Sequence, residues 1–153
     1  MPRFSGKHSA KVDVKGRLRL PSAIVKRMGE AANDGLVLKT GVDKCLELYL
    51  YKTWEAEAER VDALDDYIEE NRIFQRIFYS NTAELEKDSN DRINLPKELR
   101  DEASIDKDVV LVGMRNKIEI WSLENHKIQE EKQRNLNRSQ FAQKVMSRPR
   151  MQE

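Results

Sequence analysis

The sequence predicts a mainly β fold with appended helices (α+β), in which two tandem half-units close one small β-barrel. Three observations predict it. First, a phrase occurs twice. Asp13-Val14-Lys15-Gly16-Arg17-Leu18-Arg19-Leu20-Pro21 returns as Asp88-Ser89-Asn90-Asp91-Arg92-Ile93-Asn94-Leu95-Pro96, with Asp, Arg, Leu and Pro at fixed spacing. Such a repeat sets the architecture. Second, the flanking segments alternate apolar and polar residues in the manner of strands. Third, a lone hairpin is marginal in water, whereas two half-units can close a barrel and remove their edge strands.

The elements follow in order. Residues 8–13 and 17–20 read as the arms of a hairpin, with Ala10, Val12, Leu18 and Leu20 on its apolar face. Lys15-Gly16 forms the loop, where glycine supplies the positive φ that a short connection needs. Pro21 opens a helical turn carrying Ile24, Val25 and Met28. Residues 35–40 and 44–49 are two further strands around Gly41-Val42-Asp43. Thr53 is the expected N-cap of a helix bearing Trp54, Ala58, Val61 and Leu64. A second helix carries Ile73, Phe74, Ile77 and Phe78 as a stripe expected to be core.

The second copy repeats the order. Pro96 opens a turn with Leu99, Val109-Val110-Leu111-Val112 is a strand, and Lys117-Ile118-Glu119-Ile120-Trp121 matches Cys45-Leu46-Glu47-Leu48-Tyr49 position for position. From Ser122 the chain is helical to about residue 135, and residues 147–153 are expected to fray. The expected organisation is a first repeat over 5–52, connecting helices over 53–80, a second repeat over 81–124 and a helical, then disordered, tail over 125–153.

The 153 residues suit one ordinary domain or two small lobes sharing a core. The single cysteine, Cys45, excludes an intramolecular disulfide, agrees with a reducing cytoplasm and lies in a strand-like run as a small core residue. No apolar run approaches a membrane span, and the basic start has no apolar stretch behind it to make a signal peptide. Neither His8 nor His126 belongs to a metal-spaced cluster, and no P-loop, nucleophile elbow or dinucleotide fingerprint is present. No enzymatic activity, cofactor, metal or small-molecule substrate is therefore expected.

Net charge is only +1, but it is segregated. Residues 1–27 hold eight cations against Asp13 alone, whereas residues 54–70 hold eight acids against Arg60 alone. This suggests a basic working face and an acidic face elsewhere.

In a hairpin symmetric about Lys15, Asp13 faces Arg17 and Lys11 faces Arg19. Asp13 braces the loop and holds its arginine, and Asp88 with Arg92 repeats the arrangement, so these residues are read as turn-bracing. Lys11 opposite Arg19 is a like-charge clash. Its counterparts, Glu86 and Asn94, avoid it. Over matched stretches the first copy (7–25) is +4 and the second (82–100) is −1. A polyanion is the simplest reason for that surplus. A two-stranded ribbon fits the major groove, Arg can grip guanine bidentately and Lys can neutralise phosphate. Few aromatics interleave, which argues against a single-strand stacking platform.

Beyond the two turns, Phe4-Ser5-Gly6-Lys7-His8-Ser9-Ala10-Lys11, Asp34-Gly35-Leu36-Val37-Leu38 and Asp106-Lys107-Asp108-Val109-Val110-Leu111-Val112-Gly113 complete a pattern that resembles the MraZ family over roughly residues 3–125. The resemblance implies two SpoVT-AbrB-like repeats folded into one barrel. It also implies a ring-shaped homo-oligomer that regulates the bacterial division and cell-wall gene cluster by binding repeated promoter sites on double-stranded DNA. The DNA-contacting arginine of the family's first turn falls on Arg17, and its second-copy counterpart on Arg92. Asp91 departs from the family's usual glycine and weakens the case that the second turn touches DNA. Arg17 with Lys15, Arg19, Lys11, Lys7 and Arg3 is the expected DNA-binding set, in a cytoplasmic, nucleoid-associated protein. A protein-binding assembly module and an RNA-binding barrel are the competing readings.

Overall fold

The computed structural model describes residues 2–149. Its elements run β1 (Lys7–Lys11), β2 (Arg17–Arg19), α1 (Ser22–Met28), a 3-10 segment (Gly29–Asp34), β3 (Leu36–Thr40), β4 (Leu46–Leu50), α2 (Tyr51–Asp62) and α3 (Glu69–Ser80). The second copy gives β5 (Thr82–Leu85), β6 (Arg92–Asn94), α4 (Lys97–Glu102), β7 (Asp108–Met114) and β8 (Lys117–Ser122), followed by α5 (Leu123–Arg134) and α6 (Arg138–Met146). The fold is α+β with antiparallel pairing throughout the named strands.

The two copies exchange strands. β1 lies against β7, Lys7 opposite Val112 and Lys11 opposite Asp108. In the mirrored arrangement β5 lies against β3, Leu85 opposite Leu36. β2 pairs with its counterpart β6, and β4 with its counterpart β8. Among the described residues only the β3–β4 and β7–β8 ladders stay within one copy. The result is a six-stranded sheet, β1-β7-β8-β4-β3-β5, and a separate ribbon, β2-β6.

This corrects the expected first hairpin. Its arms meet at a single bridge, Val12 with Leu18, and then part. The reason is packing: both bridge residues are drawn into the core, and β1 gains a five-residue ladder on β7. Lys11 and Arg19 are therefore not opposite one another; Arg19 faces Arg92. Among the described residues no ladder joins the edge strands β1 and β5, so the sheet's hydrogen bonding is open where a closed barrel is expected.

One core fills the space between sheet and ribbon. It gathers Leu18 and Ile93 of the ribbon, Leu36 and Leu38 of β3, Leu46, Leu48 and Leu50 of β4, and Leu111, Ile118 and Ile120. The alternate β3 and β4 residues, Val37 and Tyr49, point outward and are covered by Trp54, Ala58 and Val61 of α2 and by Phe78. That period-two division is why β4 is buried on both faces.

The helices carry further corrections. α2 begins at Tyr51 with Leu50 at its cap, so Thr53 sits buried inside the first turn rather than capping it. Pro21 and Pro96 stand at the cap of their helices, where their carbonyls accept Ile24 and Val25, and Arg100, respectively. The stripe expected to be core on α3 is mostly solvent-facing: Ile73, Phe74 and Ile77 are 46%, 50% and 57% exposed, and only Phe78 is buried. α2 covers Val37 and Tyr49 on the outer sheet face, and α3 reaches that face through Phe78, stacked 6.1 Å from Trp54. Cys45 is buried, and burial pushes its thiol above its ordinary range, as a small core residue should be. Of the expected frayed end, residues 150–153 lie outside the described residues.

Candidate nucleic-acid interface

The repeated phrase folds into the same turn twice. Asp13 Oδ1 accepts the Lys15 and Arg17 amides at 2.9 Å each, and its Oδ2 accepts Arg17 Nε at 2.8 Å. Asp88 Oδ1 accepts the Asn90 and Arg92 amides at 2.8 and 2.9 Å, and its Oδ2 accepts Arg92 Nε at 3.0 Å. Each carboxyl is held below its ordinary value, chiefly by the arginine amide and further by the guanidinium.

The fourth position of each turn must be left-handed. Gly16 takes φ +84°, and Asp91 takes φ 59° as a non-glycine residue, with its carboxylate 2.8 Å from Lys87 Nζ. The departure at Asp91 therefore leaves the turn's geometry unchanged. Asp is among the few side chains that enter this region readily.

The turns also lock to each other. The Leu95 amide donates to the Gly16 carbonyl, and the Leu20 amide to the Asp91 carbonyl, both at 2.8 Å. Between them runs the β2–β6 ribbon, with Arg17 opposite Asn94, Leu18 opposite Ile93 and Arg19 opposite Arg92. Leu18 and Ile93 point into the core, so Arg17, Arg19, Arg92 and Asn94 share the outer face. The like-charge clash expected for Lys11 and Arg19 is thus found between Arg19 and Arg92.

The expected site residues do not all meet. Lys15, Arg17 and Arg19 cluster at the turn and ribbon. Lys11 joins them across a concavity of about 750 Å³ that it lines with Arg19, Ser22 and Asp91. Arg17 is anchored by Asp13, whereas Lys11, Lys15 and Arg19 have no acid in ion-pair contact among the described residues. Lys7 is at the far end of β1 and spends its charge on Glu130 of α5, 3.1 Å away. Arg3 lies beyond it, beside a second concavity.

Two features of the site escaped the sequence. Arg100 of α4 donates through Nε to the Leu95 carbonyl, and its guanidinium lies 3.0 Å from where a Cβ on Gly16 would stand. Arg92, expected as a brace and as the second-copy counterpart of Arg17, is placed by its register on the outer face opposite Arg19. The signal for both lies in pairing between the copies, which no local window contains.

Two copies of one Asp-braced turn, joined by an arginine-faced ribbon, define a duplicated α+β protein whose copies exchange strands. The family model for the MraZ protein matches the chain twice, over residues 3–77 and 78–148. A transcriptional regulator MraZ of Cytophaga hutchinsonii is 39% identical over 119 residues, covering 78% of this chain and 79% of its own. Namesakes from Carboxydothermus hydrogenoformans (36% identical, 79% and 82% covered) and Flavobacterium psychrophilum (38%, 79% and 78%) are similar to the same extent. The chain belongs to the MraZ family. Among the described residues no helix is long and apolar enough to cross a membrane, and no group of three or more His, Cys, Asp or Glu could hold a metal.

Proposed function

We propose that this chain is a DNA-binding transcriptional regulator that lays the outer face of the β2–β6 ribbon into the major groove. The observation that carries this is the ribbon itself: three arginines and one asparagine, with no acid, on a two-stranded element of groove-compatible width. Arg17 is the principal base reader. Asp13 takes up its Nε donor and leaves the four N–H groups of the terminal nitrogens for a base edge. Lys15, Arg19 and Lys11 neutralise phosphates beside it, and Lys7 and Arg3 extend the contact along β1.

The same reading includes a ring-shaped homo-oligomer on repeated promoter sites of the division and cell-wall gene cluster, in the cytoplasm and on the nucleoid. One ribbon with a few phosphate contacts binds weakly, whereas several identical ribbons on repeated sites gain through effective concentration. The half-exposed Ile73, Phe74 and Ile77 of α3 are the kind of surface such an assembly buries. It also includes two repeats bounded at 5–52 and 81–124, whose barrel is completed across the open edge by the ribbon. A protein-binding module remains the second reading because that α3 stripe is exposed.

A salt-titrated gel shift on the DNA upstream of the chain's own gene tests the proposal. Arg17→Ala should weaken binding by about 10- to 100-fold. Lys11→Ala and Lys15→Ala should each reduce the slope of log affinity against log salt by about one. Unchanged affinity in Arg17→Ala, or binding indifferent to salt, would overturn it.

A further inference from the structure

The two copies differ at a second place, at the opposite end of β1 from the first turn. There Arg3, Arg27, Arg115 and Lys117 line a concavity of about 760 Å³. Among the described residues no acid lines it. Lys117 Nζ is engaged from behind by the buried Glu47, 3.1 Å away, but among the described residues none of the three arginines has an acid in ion-pair contact.

The concavity is built, not incidental. Phe4 is buried and exchanges both backbone hydrogen bonds with Arg115, at 2.7 and 2.9 Å, which fixes the N-terminal segment against the β7–β8 turn. Gly113 permits that approach: a Cβ there would lie 2.3 Å from the Ser5 amide nitrogen. Arg115 itself is held at φ 65°, a conformation that non-glycine side chains adopt rarely.

The repeat supplies the comparison. At the offset that relates Asp13 to Asp88, Arg27 corresponds to Glu102; at the offset that relates Cys45 to Lys117, Arg115 corresponds to Asp43. The concavity beside the second copy is lined by Glu98, Asp101 and Glu102 and, among the described residues, by no cation. One scaffold thus carries acid at one end and unpaired cations at the other, and crowded guanidiniums repel one another unless an anion joins them. We infer that the Arg3–Arg27–Arg115 concavity binds a phosphate group, at a site separate from the first turn. Along an extended strand the two are up to roughly 25 Å apart. The phosphate belongs either to a nucleic-acid backbone or to a free phosphoanion.

The test follows backbone amides by NMR while inorganic phosphate is added, and in parallel measures the salt dependence of binding to a short DNA duplex. It uses the full chain, Arg17→Ala, and R27E/R115D, which installs the acids found at the two corresponding positions, Glu102 and Asp43. Phosphate should shift the Ser5, Arg115 and Asn116 amides in the full chain and in Arg17→Ala, but not in R27E/R115D. A duplex salt slope lower by about two in R27E/R115D assigns the phosphate to a nucleic-acid backbone. An unchanged slope alongside lost phosphate shifts assigns it to a free phosphoanion. The inference is overturned if the three amides do not respond in the full chain while the slope is unchanged, or if they respond equally in R27E/R115D. The outcome is independent of Arg17, so failure of the ribbon as DNA reader and failure of this site are separable.

Discussion

At Asp13 and Asp88 a single carboxylate organises a whole turn by accepting two amides and one guanidinium. Because both carboxyls are held below their ordinary value, their stabilisation is complete above the ordinary carboxylate range and is lost as pH falls through their lowered values. Melting temperature should therefore fall more steeply for the wild type than for D13N/D88N between about pH 5 and pH 2. Parallel curves would show that the braces do not matter to stability. The fourth turn position gives a second test. Gly16→Ala forces a side chain into the left-handed region and against Arg100, and should cost about 1–2 kcal/mol in denaturant unfolding. Asp91→Gly relieves a milder strain but loses the Lys87 pair, and should stay within about 0.5 kcal/mol of wild type. The sequence showed the glycine's purpose directly. It could not show that Asp91 does the same work, because the turn is specified by Asp88 rather than by the residue that is strained.

Among the elements, β4 and α3 show where sequence patterning suffices and where it stops. Period-two alternation identified β4 because Leu46, Leu48 and Leu50 face the core, but it left Glu47 looking like an outward polar residue. The structure buries Glu47 to 3% exposure, directly opposite Glu119, because α2 covers that face. Its charge is met by Lys117 at 3.1 Å, by Lys39 at 3.9 Å and by the Tyr49 hydroxyl at 2.9 Å. Removing Lys117 as Lys117→Met should cost on the order of 3 kcal/mol, since a buried carboxylate loses its nearest cation. Glu47→Gln keeps the acceptor for Tyr49 and should cost less, a ranking that chemical denaturation reads directly. On α3 the failure runs the other way. Helical periodicity found a real apolar stripe, but periodicity says only that a face is apolar, not what covers it. Phe74→Ser with Ile77→Ser should leave the melting temperature nearly unchanged, as both side chains are half in water. If α3 is a contact between copies, the same double variant should lower the mass seen by light scattering.

For the molecule as a whole, the duplication was legible because both turns carry the same residues, but the exchange of strands was not. A β-ladder between residues about a hundred positions apart leaves no mark in either local pattern. The expected hairpin of residues 8–13 and 17–20 has the right register at Val12 and Leu18 and the wrong partners beyond. That exchange makes a firm demand on stability. Severed at residue 80, the first half would keep the β3–β4 ladder and the single Val12–Leu18 bridge but lose the ladders of β1 on β7, of β2 on β6 and of β4 on β8. The second half loses the mirrored set, so each would expose an apolar sheet and several unpaired strands. Residues 1–80 or 81–153 expressed alone should therefore lack a cooperative melting transition as monomers. Mixed, they should regain one together with the strand signal in circular dichroism, because the ladders that hold the fold run between the halves. A cooperative monomeric transition in either half alone would mean that a single copy can satisfy its own strands, and the exchange would then be no requirement of the fold.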